Sequence, residues 1–138
     1  MNASKTLRLQ EIDIGKEFSF EHVFTEVDEK LFSELTGDTS ELRGSDIGEV
    51  NGDGKLVHGM LVASFFSTLI DEYCPGPDCL YFSQSLVFRK PIFYGQRVVV
   101  RGTVTAKSES TRLITIKTEI LFDGSSVVNG EAQVKLLH

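Results

Sequence analysis

From Gly59 to Tyr73 the chain is apolar nearly all round, and this stretch constrains the fold more than any other. A surface helix carries a single apolar stripe, whereas a helix apolar on most faces has to be enclosed. The segment therefore predicts a buried helix, interrupted only by the small or polar stripe Ser64, Ser67 and Asp71 at i, i+3 and i+7. The residues that follow supply the enclosure. Leu80, Phe82, Leu86 and Phe88 share one face of a strand that stops at Pro91. Val98, Val100 and Val104 then alternate with Arg101, Thr103 and Thr105, and Ile114, Ile116, Ile120 and Phe122 alternate with Thr115, Lys117 and Glu119. Asp123-Gly124 is a hairpin-turn signal, and the last strand runs from about Val127 to Leu137. Together these elements predict an α+β layer fold, an antiparallel sheet wrapped around a long central helix. The period-2 alternation gives that sheet one wet face and one face on the helix.

Upstream, Phe18, Phe20 and Phe24 alternate with Ser19 and Glu21, the pattern of a half-buried strand that places His22 on the aromatic side as a satisfied core histidine. Thr25-Glu26-Val27-Asp28 reads as a helix start, with Thr25 the N-cap and Asp28 near the positive end of the dipole. Val27, Leu31, Phe32 and Leu35 fall on one face, and Gly37 ends the helix. Asp38 to Lys55 is polar and glycine-rich and reads as a long loop, a feature that in a compact domain is usually functional or mobile.

At 138 residues the chain suits one domain spanning 1–138. A formal charge of −6, with 14 scattered basic residues, argues against nucleic acid as a partner. The longest apolar stretch, Met60 to Ile70, falls well short of the roughly 20 residues a membrane span needs. Met1 to Gln10 has no apolar core of a secretory signal, so the expected compartment is the cytoplasm. Cys74 and Cys79 flank a Pro/Gly turn and read as free thiols. His22, His58 and His138 show no ligand spacing, so neither a metal nor a cofactor is expected. The loop Gly48 to Gly54 lacks the Lys-Ser/Thr ending of a phosphate-binding loop.

Three segments go beyond pattern. Val57-His58-Gly59-Met60-Leu61-Val62-Ala63-Ser64-Phe65-Phe66-Ser67 resembles the "HGM" start of the central helix of (R)-specific enoyl-CoA hydratases, the MaoC-like branch of the hot-dog fold. Tyr81 to Gly95 resembles that family's next strand and its "F..P...G" turn, and Gly130 to Lys135 its closing strand. The resemblance implies a hot-dog fold, a homodimer, and a pocket for an acyl chain carried as a thioester on CoA or an acyl carrier protein. It implies hydration of trans-2-enoyl thioesters by an Asp and a His five residues apart, with backbone N–H groups at the helix start receiving the thioester oxygen. Carried over, it marks Asp38 as the acid/base, Gly59 as the oxyanion donor and Ser67 as a steadying hydroxyl. His58 and Met60, beside Gly59, are candidate substrate contacts.

The departure from the motif is as informative. Gly37-Asp38-Thr39-Ser40-Glu41-Leu42-Arg43 keeps the Asp but puts Arg43 where the family has its His. Arginine stays protonated and cannot serve as a general base, although it can hold an anion, so Arg43 is a candidate contact for an acidic substrate group. His58 is the nearby imidazole and a candidate for a relocated base. Three readings follow: a hydratase/dehydratase with an altered pair, a non-catalytic acyl-thioester-binding protein, and, by analogy of fold, a thioesterase.

Overall fold

The computed structural model describes residues 5–50 and 52–138. The start of the N-terminal segment read for a signal peptide, and Asn51 of the glycine-rich loop, lie outside the described residues. Strand β1 (Glu17–Val23) and helix α1 (Glu26–Thr36) lead through the loop to helix α2 (Gly59–Thr68). Strands β2 (Cys79–Gln84), β3 (Val87–Phe88), β4 (Arg97–Lys107), β5 (Leu113–Phe122) and β6 (Ser125–Leu136) follow. The sheet runs in the order β1-β4-β5-β6-β2, with β3 also on β6, and its pairings are antiparallel.

The alternation of the last three strands is realised closely. Val98, Val100 and Val104 of β4, Ile114, Ile116 and Ile120 of β5, and Val128, Ala132, Val134 and Leu136 of β6 are all buried. They meet Leu61, Val62 and Phe66 of α2 and the helical continuation through Leu69 and Ile70. Each Val, Ile, Leu or Phe among them contributes about 1.5–3 kcal/mol on burial, which fixes the register of the meander, because a one-residue slip would turn every one of the strand residues to water. The turn between β5 and β6 has Asp123 and Gly124 at φ +52° and +79°, the positive angles that a tight hairpin requires. On the outer face Glu119, 7% exposed, accepts two bonds from Arg101 at 2.8 and 3.1 Å, so the wet face carries a covered ion pair.

Three expectations need correction. The helix from Gly59 is not buried beyond its polar stripe as expected: Ser64 and Ser67 of that stripe face outward, but so does Met60, 60% exposed. Its last turn, Leu69–Tyr73, widens into a π-helical turn. The strand expected from Leu80 to Phe88 is split in two. Its register on β6 shifts between Tyr81 and Ser83, and Ser85 carbonyl oxygen approaches so closely that a Cβ on Gly130 would lie 1.7 Å from it. Leu80, Phe82 and Phe88 are consequently half exposed. Finally, α1 does not bury its apolar face. Phe32 packs on the core, but Val27, Leu31 and Leu35 are 66%, 60% and 87% exposed.

The histidine of β1 behaves as expected: His22 Nε2 bonds Asp28 at 2.9 Å, and its ring lies 4.3 Å from that of Phe65. Both cysteines are free, and burial pushes each thiol up to about 11. Among the described residues no helix is long and apolar enough to cross a membrane.

Candidate active site at the start of the central helix

The site is built where α1 ends and α2 begins. Thr25 caps α1 reciprocally with Asp28, and Gly37 closes it in the left-handed conformation, φ +79°, with its N–H on Ser33 carbonyl. Thr36 hydroxyl bonds back to Phe32 carbonyl at 2.7 Å and accepts the Asp38 N–H at 3.2 Å. The chain therefore leaves the helix in a fixed direction, and Asp38 is the first side chain beyond the cap. Its Oδ1 accepts both the N–H (3.0 Å) and the hydroxyl (2.7 Å) of Ser40. These two bonds, the hydroxyl first, hold the Asp38 carboxyl below its usual range; slight desolvation opposes them and the nearby imidazole of His58 adds to them.

The loop after Ser40 is tied rather than free. Lys55 bridges Glu41 at 2.9 Å and Glu29 of α1 at 3.3 Å, and an isolated bridge pairs Arg43 with Lys55. Asp46 carboxylate accepts the Arg43 N–H at 3.0 Å at the head of a 3₁₀ turn, Gly44–Ile47. The Arg43 guanidinium donates to Asp53 carbonyl at 2.7 Å. Arginine at the family's histidine position thus closes its own loop.

His58 precedes α2 and offers it no side-chain cap. The first N–H groups of a helix have no partners inside it, so those of Gly59 and its neighbours remain as donors at the positive end of the dipole. Gly59 is tightly packed: a Cβ there would lie 3.0 Å from the half-exposed Phe88 ring, which would have to give by a few tenths of an ångström. The His58 imidazole turns toward the α1 side. Its Nε2 lies 2.9 Å from Ser40 carbonyl and 3.7 Å from Asp38 Oδ1, and its ring stacks at 5.1 Å on Phe32.

Two cavities meet at this wall. A cleft of about 730 Å³ between α1 and α2 is lined by Leu31, Phe32, Leu35, Met60, Leu61 and Phe65, with Asp28 and Asp38 as its carboxylates. A groove of about 400 Å³ runs past Ser40, His58, Gly59, Phe88, Arg89 and Ile92. The Ser40–Asp38 bond joins the two. Of the residues expected at the site, Asp38, His58, Gly59 and Met60 come together here. Ser67, two turns along α2 on its exposed side, lines neither cavity, nor does Arg43. Sequence reasoning passed over Ser40, treated only as a departure from the motif, and the groove wall Phe88 to Ile92. Signal was present for both: Phe88 to Ile92 lies in a segment that carries the resemblance, and Ser40 lies two residues past the motif's Asp38.

No protein-family model matches the chain. An (R)-specific enoyl-CoA hydratase of Aeromonas caviae is 44% identical over 82 residues, which span 59% of this chain and 61% of that protein. Another, of Rhodospirillum rubrum, is 32% identical over 133 residues, covering 91% of this chain and 88% of its own length. The solved structure of an (R)-hydratase from A. caviae involved in PHA biosynthesis matches with a TM-score of 0.83 at 33% identity, covering 92% of this chain and 98% of that one. The sheet wrapped on α2, the uncapped helix start after His58 and these similarities agree, and the chain belongs to the (R)-specific enoyl-CoA hydratase family of MaoC-like hot-dog proteins.

Proposed function

We propose that the chain is a hydro-lyase that interconverts trans-2-enoyl and 3-hydroxyacyl thioesters, carried on CoA or an acyl carrier protein. The observation that carries this reading is the Asp38 carboxylate, held ionised by Ser40 on the wall of an apolar cleft and adjacent to the uncapped start of α2. In hydration, Asp38 takes a proton from water as the water oxygen bonds C3. The π pair moves through C2 onto the thioester oxygen, where the Gly59 N–H receives the developing charge. The enolate collapses and C2 takes back the proton from Asp38, so one water is added and the carboxylate is regenerated. Met60 borders the acyl cleft. Ser67 stands on the exposed side of α2, outside the cleft, and Arg43 donates to Asp53 carbonyl rather than lining it.

The test is loss of enoyl absorbance when trans-2-butenoyl-CoA is mixed with the protein and with Asp38→Asn. Turnover by the parent and none by the variant is the expected result; no turnover on short or medium enoyl thioesters by either removes the reading. A second reading, an acyl-thioester-binding protein without catalysis, is favoured by the 46% exposure of the Asp38 side chain. It predicts saturable binding of acyl-CoA with no hydration.

We further propose a homodimer, joined at the β2 edge of the sheet. This strand ends the sheet and exposes Leu80 and Phe82 by 51% and 57%, an unpaired apolar edge of the kind that associates. Sedimentation should give twice 15.3 kDa; a monomer at micromolar concentration refutes it. The two free thiols suit a reducing compartment, in keeping with a cytoplasmic location.

A further inference from the structure

We propose that His58 is the second water-binding group of this site, the imidazole partner of Asp38, and that the hydroxyl of Tyr94 sets its tautomer. The inference rests on the hydro-lyase reading and deepens it. Arg43 occupies the motif position of the partner imidazole, but its guanidinium is anchored through Nη1 on Asp53 carbonyl and lines neither cavity. A different imidazole stands at the carboxylate. His58 Nε2 is 3.7 Å from Asp38 Oδ1, a separation that lets one water lie within hydrogen-bond distance of both.

The neighbours of His58 determine which proton it carries. Nε2 faces the Ser40 carbonyl at 2.9 Å, and a carbonyl only accepts, so Nε2 bears the hydrogen. Nδ1 must then be an acceptor, and it is buried without a partner. The other buried side-chain polar atom lacking a partner among the described residues is the Tyr94 hydroxyl. The two belong to one place. Tyr94 lies on the segment that pairs with the chain leading into α2: Val57 N–H bonds Ile92 carbonyl at 2.7 Å, Tyr94 N–H bonds Lys55 carbonyl at 3.2 Å, and Leu56 bridges Phe93. The backbone N–H of His58 itself acts on the Tyr94 oxygen. Burial and the charge of Glu29 push this phenol up to about 12, so it stays a donor at neutral pH. Donation from Tyr94 to Nδ1 through one bridging water satisfies both groups and holds the hydrogen on Nε2.

In this arrangement His58 neither takes nor gives a net proton. Nε2–H, shared in a three-centre bond between the Ser40 carbonyl and the oxygen of the water, steadies that water while Asp38 removes its proton, and in the reverse direction the same shared hydrogen receives the departing hydroxide as Asp38 protonates it. The groups facing the imidazole are Asp38 and Ser40 from the post-α1 loop, Phe32 from α1 and Tyr94 from the segment before β4, with Glu29 and Lys55 acting on the phenol.

The experiment uses the full chain with His58→Leu, His58→Gln and Tyr94→Phe, each checked for fold by circular dichroism and thermal melting. On trans-2-butenoyl-CoA, His58→Leu should lower kcat by about 10²–10³-fold with KM nearly unchanged, the loss of one preorganised donor. His58→Gln, which restores an N–H near the Nε2 position, should recover most of it. If the parent turns over and His58→Leu matches it, the inference falls while the hydro-lyase reading stands. If the parent turns over no enoyl thioester, the reading falls, and a second readout still decides the pairing. The ¹⁵N spectrum of the His58 imidazole should show the hydrogen on Nε2 in the parent and a mixture of tautomers in Tyr94→Phe. A hydrogen on Nδ1 in the parent, or no change in the variant, overturns it.

Discussion

The inner face of the β4–β6 sheet and the α1–α2 face were written in the same chemical alphabet, yet only one of them closes. In the sheet, the inward series from Val98 to Leu136 is buried in two clusters that each include residues of α2 or its continuation. On α1 the same density of aliphatic side chains, at proper helical spacing, leaves Val27, Leu31 and Leu35 in the open beside an exposed Met60. Periodicity reports that a face is apolar; it does not report what covers it. Where the chain itself does not, a substrate or a second subunit is what could, and here the carboxylate Asp38 sits at the rim of the uncovered region. The closed face is therefore where substitutions should cost stability, and the open one where they should cost function.

The largest effect expected is at Asp38. Asp38→Asn keeps the volume and removes the charge, and turnover should fall by about 10²–10⁴-fold, the usual range for a positioned acid/base group. The melting temperature should stay within a few degrees, since Asp38 is exposed and bonded only to Ser40 and, more distantly, to the imidazole. A large drop in stability with little change in rate would reverse the contrast between the faces.

Next comes a matched pair across that contrast. Ile116→Ala empties a fully buried position on β5 and should cost about 2–5 kcal/mol in denaturant unfolding. Leu35→Ala, at a side chain 87% exposed, should cost less than about 0.5 kcal/mol by the same measurement. A larger cost at Leu35 that depends on protein concentration would identify the second subunit as the cover of α1.

The pH dependence sharpens the comparison further. Because Ser40 holds the Asp38 carboxyl below its usual range, turnover should persist at pH values where an ordinary carboxylate is already protonating, and be lost only as pH falls further. Ser40→Ala removes the largest cause, so the acid limb of the rate profile should move to higher pH. An acid limb that does not move would detach Asp38 from the rate.

How much of this was legible in advance follows from the same distinction. The layer architecture, the meander, the caps of α1 and the free thiols could be read because each depends on local spacing or on one turn. The split of β2 from β3 could not, since it arises from the approach of Ser85 to Gly130, residues 45 apart in sequence. At the site, Asp38, Gly59 and His58 were identifiable as residues from the motif that each occupies. Their arrangement was not: that His58 turns to Ser40 and Asp38 while Arg43 turns to Asp53 depends on how an 18-residue excursion folds back, through Lys55 and the 3₁₀ turn. The exposure of α1 was hidden for a deeper reason, because periodicity marks a face as apolar without stating whether the chain itself covers it.

The smallest effect is expected at the position that departs most visibly from the family motif. By alignment, Arg43→His restores the missing imidazole and should raise activity by the full acid/base factor. By geometry, the position is committed elsewhere. Its N–H is held by Asp46, its backbone bridges Lys55, and its side chain donates to Asp53 carbonyl at the far end of the loop. A histidine is too short to keep that last bond, so the variant should lose roughly 1 kcal/mol of stability, the net worth of one intramolecular hydrogen bond. Its rate on trans-2-butenoyl-CoA should stay within about tenfold of the parent, because the position lines neither cavity and His58 already stands at the carboxylate. A gain of a hundredfold or more in hydration would show that the loop can bring position 43 into the site, and would return the partner role to the place the motif assigns it.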